Sequence, residues 1–203
     1  MPDIIDMLMR GGWMMIPIIL CSIVALTITI ERAWAFRSLG MKSLAERMIQ
    51  VAEQGKFSDA LAYAKQQSSP ILNVLAAGIV HRAHQPSTAM EALGIREISL
   101  LKRRLSILDT IITLGPLLGL LGTIIGMIGS FGIMSESGLG NPHAVTGGVA
   151  EALICTAAGI FVAVVTLIPY NYFLSRVEQE TEHIEQYATL LQAIITRPQG
   201  SSA

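Results

Sequence analysis

Few residues of this chain could do chemistry in an apolar setting, and they fall in two stretches. Thr123 stands mid-way along a long uncharged run that follows Asp109, and Thr156 stands mid-way along Val149–Phe173. Glu151 opens that second run. A hydroxyl donates one hydrogen bond and accepts others, so it can line a polar path, but it does not titrate near neutrality. A carboxylate does, and an ionisable group inside a membrane is costly enough to be a functional candidate. Each residue also has a plainer reading. A threonine in a membrane helix can bond its own carbonyl four residues back. Glu151 can sit among outer headgroups, where its charge suits a helix N-terminus, and both readings of it stand. Five residues separate Glu151 from Thr156, about 140° around a helix, so the two need not face one cavity. Asp109 reads as an interfacial carboxylate at the inner end of its span.

The missing residues are as informative. The mid-depth of the apolar spans carries no Asp, Lys, Arg or His. A proton path normally needs a group that changes protonation state, so if protons pass, the titrating group should come from another polypeptide. The histidines at 81, 84, 143 and 183 show no metal spacing, and no catalytic or nucleotide-binding motif appears. No metal, cofactor or enzyme activity is expected. Cys21 and Cys155 lie in apolar runs and read as small hydrophobes.

The elements that must position these residues begin with Ile107–Phe131, ILDTIITLGPLLGLLGTIIGMIGSF. It exceeds the roughly 20 apolar residues needed to cross a bilayer. Gly115, Gly119, Gly122, Gly126 and Gly129 recur at steps of four and three, which puts them on one side of a helix. Small residues let membrane helices approach closely, so this stripe is a packing face. Ala152, Thr156, Gly159, Ala163 and Thr166 repeat the same step in the second run. The two matching faces suggest a packed helical assembly with a narrow, weakly polar seam. Pro116 should kink or loosen its helix.

Composition agrees. Of 203 residues, 52% are hydrophobic and 14% charged, well below the quarter charged of a soluble domain. A net charge of −1 gives no argument for nucleic acid. The fold class expected is an all-α membrane protein with three spans. Residues 1–12 form the outer N-terminus, with no clear secretory signal, and 13–34 the first span. Trp13 and Trp34 are about 32 Å apart along a helix, matching the two interfacial belts. Residues 35–105 form a small cytoplasmic helical region, 106–134 the second span, 135–144 an outer loop, 145–173 the third span and 174–203 a cytoplasmic helix and tail. This orientation follows from the positive charges. Arg32, Arg37, Lys42, Lys102, Arg103, Arg104 and Arg176 flank one side, and the 135–144 loop has no Lys or Arg.

Within 35–105, Ser43–Glu46 forms a capping-box pattern and Gly55 a helix stop. Ser58 caps a second helix through Gln67, and Pro70 starts a third reaching about Ala83. Pro86-Ser87 opens another that has no breaker but Gly94, so Ser87–Met134 is expected as one rod of about 70 Å. Met90, Leu93, Ile98, Leu101 and Leu105 should pack it on the short helices. After span three, Glu178, Glu180, Glu182 and Glu185 alternate with Ile184, Tyr187, Leu190, Leu191 and Ile194 as an amphipathic continuation that ends near Pro198.

Gly115–Phe131, Ala150–Gly159 (AEALICTAAG), Tyr170-Asn171 and Glu31-Arg32 resemble the ExbB/TolQ/MotA proton-channel family. The span count is closer to the ExbB/TolQ branch than to the four-span flagellar stators of the MotA type. The resemblance implies an inner-membrane homo-oligomeric ring, a pentamer, around a dimer of an ExbD/TolR-like single-span protein. That partner would supply the protonatable aspartate, and proton flow would drive a TonB- or TolA-like protein reaching the outer membrane. It also implies that Thr123, Glu151 and Thr156 face the lumen. One departure is visible: the family often has proline near the position of Val165, and here proline comes a turn later, at Pro169. Two other functions remain to be weighed. A non-conducting scaffold would use the glycine faces only to assemble. A secondary transporter would be expected to show an inverted repeat, and none is seen.

Overall fold

A computed structural model describes residues 12–37, 42–67, 69–137 and 142–196. All the structure in them is helical: α1 Met15–Arg37, α2 Lys42–Glu53, α3 Phe57–Gln66, α4 Pro70–Val80, α5 Pro86–Lys102, α6 Leu105–Ser137 and α7 Pro142–Thr196. Three of them, α1, α6 and α7, are long and apolar enough to cross a membrane. The expectations for residues 1–11, for the middle of the 135–144 loop and for the tail at Pro198 lie outside the described residues. The chain divides into two compact units, one of residues 1–33 and 104–172, the other of 34–103 and 173–203.

In the first unit, α1, α6 and the first half of α7 pack through small and sulfur-bearing residues. Met14, Met15, Ile18 and Cys155 are buried together, with Leu118, Ile125, Ala158 and Val162 against them. Larger apolar side chains, among them Leu20, Leu26, Leu117, Ile128, Phe161 and Ile168, point outward and stay exposed. That inversion is what lipid demands: large residues meet acyl chains, and small ones allow helices to approach. Trp13 and Trp34 are both exposed.

The second unit has an ordinary apolar core. Ala45, Met48, Ile49 and Ala52 form one stripe of α2, and Ala60 and Ala64 one face of α3. Helix α4 is buried nearly all round, through Ile71, Leu72, Val74, Leu75, Gly78 and Ile79. Met90 of α5 and Ile184, Tyr187 and Leu191 of α7 complete the core, with Leu93 and Ile98 packed against it. Leu190 stays exposed and Glu180 is buried. The Tyr187 hydroxyl donates to the Glu46 carboxylate at 3.2 Å, and Asn73 donates to Glu97 at 3.1 Å.

Local signals differ in how far they carry. Gly55 takes φ +75°, with Lys56 N–H on the Val51 carbonyl and Gly55 N–H on Ala52, so α2 stops in a Schellman turn. Pro70 opens α4 and Pro86 opens α5. Other expectations are corrected. Ser43 lies inside α2, and Glu46 serves Tyr187 rather than a cap. The N-cap of α3 is Lys56, without a side-chain bond, and Ser58 turns to Asp59 instead. Helix α4 ends at Val80, where His81 caps it through backbone bonds, rather than at Ala83.

The largest correction concerns the expected rod from Ser87 to Met134. It is two helices, because Arg103 is extended and Arg104 adopts φ +72°. A left-handed arginine costs about 1–2 kcal/mol. Arg104 pairs with Glu31 at the end of α1, an interaction no local pattern contains. Arg103 N–H still bonds Ser99, and α6 restarts with Ile107 N–H on the Arg104 carbonyl.

Candidate functional site

The site is built where α6 crosses α7. A Cβ on Gly115 would come within 2.8 Å of the Gly159 carbonyl oxygen, and one on Gly119 within 2.9 Å of the Thr156 Cα. One on Gly122 would overlap the Cys155 sulfur, and one on Gly126 would sit 2.8 Å from the Ala152 Cβ. Ala163 is 3.5 Å from the Cβ position of Gly115. Four of the five stripe glycines thus stand where the helices touch, Gly115 and Gly119 against backbone and Gly122 and Gly126 first against the side chains of Cys155 and Ala152. Gly129 does not: a Cβ there meets nothing within 4 Å.

This close approach places Thr156. Its hydroxyl donates across the seam to the Gly119 carbonyl at 2.8 Å. That carbonyl is reachable because Gly119 has no side chain to cover it. Thr123 behaves differently. Its hydroxyl donates to Leu120 in its own helix at 2.6 Å. It lines an open groove of about 490 Å³ with Ile124, Met127, Phe131, Val149 and Leu153, and it is the sole polar side chain on that lining. Both hydroxyl hydrogens are committed to carbonyls, so each oxygen presents lone pairs and acts as an acceptor.

Glu151 lies elsewhere. It contacts Gly12, in the turn that opens α1, and lines a cavity of about 40 Å³ with Trp13, Gly122, Gly126 and Cys155. Ala152 reaches both that cavity and the Thr123 groove. Within one chain, then, Thr123 and Thr156 flank one seam while Glu151 addresses the first span.

Sequence reading overlooked two features. A cleft of about 130 Å³ between α1 and α7 is lined by Ser22, Thr29, Val165, Thr166 and Pro169. Ser22 and Thr29 are one heptad apart, a signal that could have marked them. One residue beyond Pro169 of that cleft, the Tyr170 hydroxyl is in hydrogen-bonding reach of Asp109, and in the same unit Glu31 pairs with Arg104. Only the pairing of sequence-distant helices reveals that group.

With this geometry in hand, comparison with known proteins is specific. Residues 66–186, which include Thr123, Glu151 and Thr156, match the model of the MotA/TolQ/ExbB proton channel family. The chain is 32% identical over 209 residues to the biopolymer transport protein ExbB-like 1 of Synechocystis, covering 95% of this chain and 79% of that one. It is 32% identical to ExbB-like 3 of the same organism, covering 93% of each. The Tol-Pal system protein TolQ of Haemophilus influenzae is 36% identical over 107 residues, 51% of this chain and 47% of its own. The chain belongs to the MotA/TolQ/ExbB proton channel family, and these relatives set it in the ExbB/TolQ branch.

Proposed function

We propose that this protein is the channel-forming stator subunit of an inner-membrane complex driven by the proton motive force. Several copies, five by resemblance to the family, surround the membrane helices of an ExbD/TolR-like single-span partner. Their Thr123, Thr156 and Glu151 line the proton pathway, with the N-terminus outside and the C-terminus in the cytoplasm. The partner contributes an aspartate, and the resulting motion acts on a TonB- or TolA-like protein.

The observation that carries this reading is the Thr123 groove, an apolar furrow with a single hydroxyl acceptor. A protonated carboxylic acid is neutral and has one hydrogen to donate. An apolar wall admits it, and a hydroxyl oxygen with free lone pairs satisfies it. An ionised carboxylate would gain little there. The groove therefore favours the proton-loaded form of an incoming acid.

The test is function dependent on the proton motive force in cells. Thr123→Val and Thr156→Val should abolish it while the complex still assembles, and full activity in both variants would remove the hydroxyls from the pathway. A scaffold without conduction is the second reading, favoured by the fact that both hydroxyls already have backbone partners. It predicts that the valine variants stay active and that only bulk at the glycines is harmful.

A further inference from the structure

We propose that Gly12 is a positioning residue that seats the Glu151 carboxylate. Gly12 has φ +68°, a left-handed conformation, in the turn that starts α1. That turn is fixed by Met15 N–H on the Gly12 carbonyl at 3.1 Å and by Ile16 N–H on Trp13 at 3.2 Å. A Cβ at residue 12 would overlap Oε1 of Glu151 and lie 3.0 Å from its Cδ. Glycine suits the left-handed backbone, and a Cβ here would also push the flexible end of the Glu151 side chain out of its place. Left-handed φ alone would accept asparagine, but its Cβ would displace the carboxylate.

The seat is a half-open recess that leaves Glu151 and Trp13 partly exposed. Gly12 and Trp13 close it from the start of α1, Gly122 and Gly126 from α6, and Cys155 from one turn further along α7. Its volume of about 40 Å³ leaves room for water beside the carboxylate. The two α6 glycines leave that room because they carry no side chain. The turn opening span one thus decides where the carboxylate of span three stands. Cys155 is the other titratable group on the lining; the described lining residues of α1 and α6 carry none. A role for this seat in conduction rests on the function proposed above, but the seat itself can be tested without conduction.

Trp13 borders the cavity and is one of two tryptophans in the chain. In a Trp34→Phe background of the full chain in lipid vesicles, Trp13 emission is followed against pH. The expected result is a titration step with glycine at 12 that disappears in Glu151→Gln and persists in Cys155→Ser. In Gly12→Ala and Gly12→Asn the step is lost or its midpoint moves. An unchanged step in Glu151→Gln, or a midpoint in both residue-12 variants that matches the one with glycine at 12, overturns the proposal. Proton flux through the assembled complex is read separately. A lost step with unaltered flux keeps the seat and rejects its part in the pathway.

Discussion

Thr123 and Thr156 each give their hydroxyl hydrogen to a main-chain carbonyl, and that commitment sets what the oxygens can do next. Serine keeps the oxygen and valine keeps only the shape. Thr123→Ser should therefore retain activity driven by the proton motive force where Thr123→Val loses it, measured in cells with matched expression. Thr156→Val has a second consequence, because its bond joins two helices. Bonds of that kind in membranes average roughly 0.6 kcal/mol, so unfolding in detergent should shift by about that amount. Tyr187 makes a different point. Burial, helped by the Glu46 carboxylate that accepts its hydrogen bond, pushes its phenol above the ordinary range. The neutral form is thus favoured on folding, and the stability it lends is lost as pH rises past about 10. Tyr187→Phe should remove about 1 kcal/mol at neutral pH and flatten the alkaline fall, as read by denaturant titration at several pH values. The sequence marked both threonines, since hydroxyls are rare in those runs. It could not give Thr156 its partner, because the register of two helices does not follow from the pattern on either.

At the scale of elements, the glycine stripe makes a prediction with an internal control. Gly119→Leu and Gly122→Leu put carbon into the backbone of Thr156 and the sulfur of Cys155, whereas Gly129→Leu meets open space. The first two should abolish assembly and the third should leave it intact, scored by size-exclusion profile in mild detergent. The stripe itself was legible as spacing, but its end at Gly126 was not. Periodicity names the residues on a face without saying where the neighbouring helix stops touching it. The break at Arg103-Arg104 was hidden for a related reason. A run of basic residues has no breaker chemistry, and the Glu31 pairing that holds Arg104 comes from another helix. Arg104→Gly keeps the left-handed turn at no conformational cost but loses the ion pair. Because the pair is about half exposed and worth less than about 1 kcal/mol, while glycine relieves the roughly 1–2 kcal/mol of left-handed strain, that substitution should leave stability unchanged or slightly raised.

At the scale of the whole molecule, two kinds of packing share one chain. The helices of residues 1–33 and 104–172 leave many large apolar side chains exposed, such as Leu20, Ile128 and Phe161, whereas the other unit gathers its apolar residues into a buried core. Composition and helix length made the three spans readable from the sequence. The short helices were readable from Gly55, Pro70 and Pro86, with caps displaced where Glu46 turned to Tyr187 and Ser58 to its neighbour Asp59. The chain belongs to a proton channel family although its apolar runs carry no Asp, Lys, Arg or His at mid-depth, and under the proposed function the acid comes from a partner. The most direct measurement is proton uptake by vesicles holding this chain together with the ExbD/TolR-like partner proposed for it. Uptake should require both polypeptides and fall to background either when the partner's aspartate becomes asparagine or with Thr156→Val. Equal uptake by this chain alone, or uptake indifferent to the partner's aspartate and to both threonines, would contradict the account.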